Sequence, residues 1–207
     1  SGVQVSLVPV RVDLTLEKLF DHPDREPQVD VTTPSAAVGM MYTSGTTGPP
    51  KGVVATGYDM APLQTVFAAI GVKPGETMYT ALPLFHGNAL LLSAIGSLSL
   101  GAKLALAEKF SASRFWDDCR KYDGGEFNTL GGMISILLKQ PPKPNDRDNP
   151  VRVVLSAACP ANVWREFEQR FDVRLVEFYG MVDSPGFLLN DVGKEQVFGD
   201  IRQWIEA

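Results

Sequence analysis

Apolar residues along this chain fall into short runs, separated by stretches whose apolar positions recur every three or four residues. The runs at 38–42, 103–107, 127–130, 151–156 and 174–178 have the length and bounding residues of β-strands. The 151–155 run is mostly valine, as suits a strand covered on both faces. Helical spacing covers 58–70, 88–100, 113–122, 133–139 and 161–171. In the last of these, Val163, Phe167 and Phe171 lie four apart, opposite a face of Arg165, Glu166, Glu168 and Gln169. Ser113, just before Phe115-Trp116, is placed to cap its helix. Strands alternating with helices predict an α/β fold: a largely parallel sheet with helical crossovers. Ligands of such sheets bind beyond the carboxyl ends of the strands. Tyr42 and Phe178 each end a predicted strand just before a glycine-containing turn.

Outside these elements the pattern weakens. Residues 1–37 are polar and proline-bearing, with one short helical spacing at 15–20, and read as a lead-in segment. Residues 38–190 form the patterned core, and 191–207 are an unassigned tail in which 196–207 could be helical. The stretch 141–150, PPKPNDRDNP, reads as a surface loop. An apolar fraction of 44% and a charged fraction of 21% are those of a globular protein. A net charge of −5 without any basic block argues against nucleic acid as a partner. The most membrane-like run, 89–107, is broken by Ser93, Gly96, Ser97, Ser99, Gly101 and Lys103. It predicts a buried helix and a strand rather than a span, and leaves room for peripheral membrane contact. Cys119 and Cys159 have neither disulfide-framework nor metal-ligand spacing, which fits a reducing, cytoplasmic setting.

The densest chemical signal is residues 42–53, YTSGTTGPPKGV. Glycines permit close backbone approach, so several N–H groups can face one anion. Thr43, Ser44, Thr46 and Thr47 add hydroxyl donors around Gly45 and Gly48, and Lys51 adds a positive charge suited to a phosphate chain. A Walker loop is excluded, because Pro49-Pro50 precede Lys51 where that loop needs backbone donors. Three further clusters follow. His86 stands in PLFHGNAL, 35 residues beyond Lys51. Ser156-Ala157-Ala158-Cys159-Pro160 puts small residues directly after a strand, where a flat base can lie against the backbone. Phe178-Tyr179-Gly180-Met181-Val182-Asp183-Ser184 closes the set.

The 42–53 segment resembles, residue for residue, the phosphate-binding signature of the adenylate-forming enzymes, which include acyl-CoA synthetases, peptide-synthetase adenylation domains and luciferases. The resemblance covers roughly 14–190 and implies part of the large domain of such an enzyme. It also implies the reaction: ATP activates a carboxylic acid as an acyl-adenylate, pyrophosphate leaves, and coenzyme A takes the acyl group. Residues 43–48 and Lys51 would hold the phosphates, and Lys51 would take part in catalysis. His86, in a segment similar to the family's PLFH motif, would join the catalytic residues with a positioning or gating role near the acyl carboxylate. A carboxylate is already ionised at neutral pH, so His86 needs no general-base role. Ala157, Ala158 and Cys159 would line the adenine pocket, Cys159 as wall rather than nucleophile. The 178–183 segment is similar to the family's aromatic-Tyr-Gly-Met-Thr-Glu. Phe178, Tyr179, Gly180 and Met181 would contact the nucleotide, with Tyr179 stacked on adenine. Asp183, also catalytic, would hold the Mg²⁺ that bridges the phosphates. Pro83–His86, Lys109–Ala112 and Phe115-Trp116 look like fatty-acyl-CoA or carnitine-CoA ligases, so the acid would be fatty or carnitine-like.

The chain departs from the family pattern in two kinds of place. Asp183 replaces the usual Glu, and Val182 replaces Thr, removing a donor worth about 2–4 kcal/mol of transition-state stabilisation. A Tyr-x-Thr-Gly-Asp ribose motif is not found, Gly199-Asp200 matching only its last pair, and the family's small C-terminal domain with its active-site lysine is absent. A fragment of a longer enzyme is therefore expected. Two other classes compete with a working ligase. One is a catalytically impaired nucleotide- or acyl-binding remnant; the other is a scaffold without a ligand.

Overall fold

The computed structural model describes residues 37–43, 48–56, 62–182 and 188–190. The chain divides into two compact units, 1–32 and 33–207, and every described residue belongs to the second. Expectations that fall on 1–36, 44–47, 57–61, 183–187 and 191–207 lie outside the described residues.

The main sheet has six strands: β3 (Thr77–Thr80), β4 (Lys103–Leu106), β5 (Gly124–Leu130), β6 (Val153–Ala157), β7 (Arg174–Tyr179) and β8 (Leu188–Asn190). Their order is β4-β3-β5-β6-β7-β8, and every pairing is parallel except β7 with β8. Helices supply the crossovers: α3 (Phe115–Tyr122) before β5, α4 (Gly131–Leu138) before β6, and α5 (Ala161–Phe171) before β7. On the other side lie α1 (Pro62–Ile70), a π-helix (Asn88–Ile95) and its continuation α2 (Gly96–Leu100). The mixed α/β reading with a largely parallel sheet thus holds.

Alternation along the strands splits the core between the two faces. Tyr79, Phe127, Val154 and Leu175 pack with Phe115, Trp116, Trp164, Phe167 and Phe171. Met78, Val153, Leu155, Val176 and Phe178 point the other way and pack with Leu63, Phe67, Ile70 and Leu92. The expected α5 stripe is present and wider than its four-residue spacing suggests, because Trp164 is fully buried beside it.

Several elements differ from the sequence expectation. The run ending at Tyr42 does not join the parallel sheet. It is β1 (Ala37–Thr43), paired antiparallel with β2 (Lys51–Thr56) in a separate hairpin. The connection 44–50 is too short for a parallel crossover, which needs a dozen residues or more. β3 escapes a hydrophobicity reading because Thr77 and Thr80 bound only two apolar residues, yet all four are buried. The 88–100 helix is not one regular element but a π-helix followed by a turn and a half of α-helix. Ser113 does not cap α3: Arg114 occupies that position without a side-chain bond, and Ser113 Oγ lies 3.4 Å from Ser111 Oγ. Asp117 and Asp118 serve the first turn of α3 instead, facing its dipole. The 141–150 loop is mostly exposed, but Asp146 is buried against Arg170 at 2.8 Å. Among the described residues no helix is long and apolar enough to cross a membrane.

Candidate active site

Ala157–Cys159 and Phe178–Met181 stand at or just beyond the carboxyl ends of the parallel strands β6 and β7. β6 ends at Ala157, and the chain turns through Ala158 into Cys159-Pro160 before α5. Ala158 adopts a left-handed backbone, φ +58°, which costs a residue with a Cβ about 1–2 kcal/mol. The turn nonetheless has two anchors. The Cys159 N–H donates to the Glu177 carboxylate at 3.1 Å. On the other side Gly131, the first residue of α4, has no Cβ to block the Ala158 carbonyl oxygen, which lies 1.9 Å from where one would stand. Ala158→Gly is expected to raise stability by about 0.5–1 kcal/mol, read as a higher Tm, because it relieves the left-handed strain.

Cys159 and Glu177 are both buried there. Burial, then the nearby Glu177 and Glu168, push the Cys159 thiol up to about 12, so it is protonated at neutral pH and a poor nucleophile. Burial also raises the Glu177 carboxyl, and the Cys159 N–H partly offsets that.

β7 ends beside this turn. Phe178 packs into the second core cluster, so its side chain serves the sheet, whereas Tyr179 is about half exposed with Met181 beside it. The Tyr179 hydroxyl lies 3.6 Å from Met181 Sδ, and Gly180 is exposed. Asp183 and Ser184 fall outside the described residues. Among the described residues no group of three or more His, Cys, Asp or Glu could hold a metal ion.

In the hairpin, Thr43 and Lys51 are direct cross-strand partners. They therefore flank the mouth of the Gly/Thr loop, whose Ser44, Gly45, Thr46 and Thr47 lie outside the described residues. Gly48 and Lys51 are exposed, and no carboxylate among the described residues pairs with Lys51. His86 is exposed as well, its ring 4.6 Å from that of Phe85. The His86 carbonyl accepts the Leu90 N–H at 3.0 Å, which ties it to the π-helix.

Gly87 is where three of the clusters meet. A Cβ there would stand 3.0 Å from Met41 Cε of the hairpin, 3.3 Å from Val182 Cγ2 of the tyrosine turn, and 3.9 Å from Leu91 of the π-helix. One residue further on, Asn88 Nδ2 donates to the Thr129 carbonyl at the end of β5 (3.3 Å). An open groove of about 690 Å³ beside the same segment is lined by Leu82, Pro83, Leu84, Leu106, Lys109 and Phe110.

Sequence reasoning missed a buried polar group behind this surface. Glu126, Asn128 and Ser93 are each at most 1% exposed, on the face otherwise filled by Met78, Val153 and Leu155. The predicted strand began at Phe127, one residue too late to include Glu126. The overlooked signal is a Glu and an Asn two apart, both on one face of a strand. Glu177 was missed likewise, inside an apolar run.

Comparison with known proteins is consistent with this geometry. The family model described as AMP-binding enzyme matches residues 3–200. The chain is 38% identical over 175 residues to long-chain fatty acid transport protein 2 of Rattus norvegicus, covering 81% of this chain and 28% of that protein. It is 39% identical over 153 residues to the medium/long-chain-fatty-acid–CoA ligase FadD6 of Mycobacterium tuberculosis, covering 72% of this chain and 26% of that one. The chain thus spans under a third of the length of these relatives. Among solved structures, the inhibitor-bound N-terminal domain of FACL13 from Mycobacterium tuberculosis superposes with a TM-score of 0.70 at 22% identity, covering 91% of this chain and 46% of that one. A benzoate CoA ligase from Burkholderia xenovorans gives 0.72 at 21%, covering 84% and 36%. At those identities the likeness is one of fold.

Proposed function

The chain belongs to the AMP-binding enzyme family, and from that premise we propose that it forms the nucleotide- and acyl-binding part of an acid–thiol ligase. In this reading ATP converts a carboxylic acid to an acyl-adenylate with release of pyrophosphate, and coenzyme A accepts the acyl group. The observation that carries it is the convergence at Gly87, where the hairpin of the phosphate loop, the His86 segment and the tyrosine turn touch. A reaction joining a phosphate chain, a carboxylate and an adenine needs the segments that carry Lys51, His86 and Tyr179 close together, and the contacts of Met41, Gly87 and Val182 support that reading.

Each residue has a task in this proposal. Thr43, Lys51 and the loop they flank bind the phosphates, and Lys51 stabilises the charge that grows on the departing pyrophosphate. Tyr179 offers an exposed ring to the adenine, with Ala157, Ala158, Cys159, Gly180 and Met181 around it. His86 orients the carboxylate, and the groove beside it, apolar apart from Glu108 and Lys109, takes the chain of the acid. Asp183 would hold Mg²⁺, which supplies charge neutralisation between the phosphates. Relatives named for long- and medium-chain fatty acids support a fatty acid rather than a carnitine-like one. The setting is cytoplasmic in this reading, in keeping with two buried free thiols.

Pyrophosphate release on adding ATP–Mg²⁺ and a panel of fatty acids to the full chain tests the proposal. Release that depends on the acid supports it. ATP binding by calorimetry without release from any acid would establish the binding-remnant reading, which Val182 favours by packing a methyl where the family has a hydroxyl. Absence of ATP binding would leave only a scaffold.

A further inference from the structure

The buried polar group behind the site has a geometry that ordinary packing does not require. With the Asn128 amide oriented to satisfy both neighbours, its nitrogen donates to Glu126 Oε1 at 2.7 Å. Its oxygen accepts from Ser93 Oγ at 2.9 Å and from the Ser93 N–H at 3.2 Å. Glu126 Oε2 has no partner, and burial raises the carboxyl well above the usual range. Asn128 therefore reaches into the hydrogen-bond ladder of the helix above it. A side chain inserted in a ladder is a recognised cause of helix distortion, and this helix is in the wide π form over Asn88–Ile95. A second amide, Asn88 to the Thr129 carbonyl, ties the start of the same helix to the same strand.

We propose that Asn128, backed by Glu126, is a positioning residue: by holding Ser93 it sets the register of the π-helix and thereby the placement of His86 and Gly87 at its amino end. The chain of contacts is continuous. Asn128 binds Ser93, the helix runs back to Leu90, and the Leu90 N–H holds the His86 carbonyl. Gly87 in turn meets Met41 and Val182 with little clearance, so a register change in the helix would be felt at the point where the three segments touch. The inference rests on the proposed function for its kinetic part only.

Three variants test it in the full chain. In Asn128→Leu, the KM for the acid is expected to rise about tenfold with the KM for ATP unchanged, the scale of one lost buried hydrogen bond. Glu126→Gln still offers an oxygen to the Asn128 amide and should behave as wild type. The double variant Glu126→Leu with Asn128→Leu replaces the pair with apolar groups and should recover stability. If positioning is the role, its acid KM stays raised; an acid KM that returns to normal with stability overturns the proposal. Amide hydrogen exchange over 86–93 is the measurement that needs no turnover. Faster exchange there in the double variant, at wild-type Tm, supports the proposal even if no acid is activated, and unchanged exchange overturns it.

Discussion

Alanine at position 131 is expected to destabilise the chain by about 3 kcal/mol, the upper end of the range for overpacked interiors. The added Cβ would stand 1.9 Å from the Ala158 carbonyl oxygen, 2.9 Å from its carbon and 3.1 Å from Pro160 Cδ. Two of those three atoms are backbone, which cannot swing away as the end of a flexible side chain does. Neither partner is free to retreat. Gly131 opens α4, whose Met133, Ile134 and Leu137 are buried in the core. Ala158 is already in a left-handed conformation, and the next residue is tied to Glu177. Urea denaturation should show a lower midpoint with an unchanged slope. Gly132→Ala is the control, because nothing lies within 4 Å of its added Cβ and alanine favours the helix by about 1 kcal/mol. Equal midpoints for the two variants would refute the close approach. The clash also falls on the turn assigned to adenine, so weaker ATP binding should accompany the loss of stability.

That contact marks where the sequence stopped being legible. Glycine at 131 and the small residues at 156–158 are each visible in the chain, but their mutual approach depends on the register of β5 against β6. Leu130 pairs with Ala157, and nothing local encodes that pairing. The parallel sheet was legible because the mostly valine run at 151–155 suits a strand covered on both faces, and because the runs at 103–107, 127–130 and 174–178 alternate with helical spacings. β3 was not, since threonines at both ends leave only two apolar residues between them, although it is an interior strand and fully buried. The 42–53 segment stands out in the chain by its glycines, hydroxyls and lysine, while the frame of its flanking strands was misassigned. Gly and Thr residues announce an anion site, but whether the flanking strands pair with each other or enter the main sheet is decided by loop length. The Glu126–Asn128–Ser93 group was the least legible. Single polar residues in apolar runs look like noise until the two elements are seen to meet.

Lys51→Met should lower acid-dependent pyrophosphate release by about 100-fold or more, the loss typical of removing one preorganised donor from a developing anion. The argument depends on where Lys51 stands. It begins β2, directly across from Thr43, with the seven-residue loop between them. Its side chain is exposed, and no carboxylate among the described residues pairs with it. A surface residue in that position contributes little to stability, so Tm should hardly move, within about 0.5 kcal/mol. A large kinetic effect with no stability effect would separate a functional lysine from a structural one. The split between parameters is also informative. Charge builds on the leaving pyrophosphate only as the α-phosphate bond breaks, so kcat should fall more than the KM for ATP rises. Lys51→Arg keeps the charge but replaces a compact ammonium with a planar fork, and should recover only part of the rate. If Lys51→Met instead retains more than about a tenth of the wild-type rate, the loss is no larger than that of a single uncharged hydrogen bond. Phosphate stabilisation would then have to come from the loop's own N–H and hydroxyl groups, and Lys51 would be an exposed strand-end cation with no part in the chemistry.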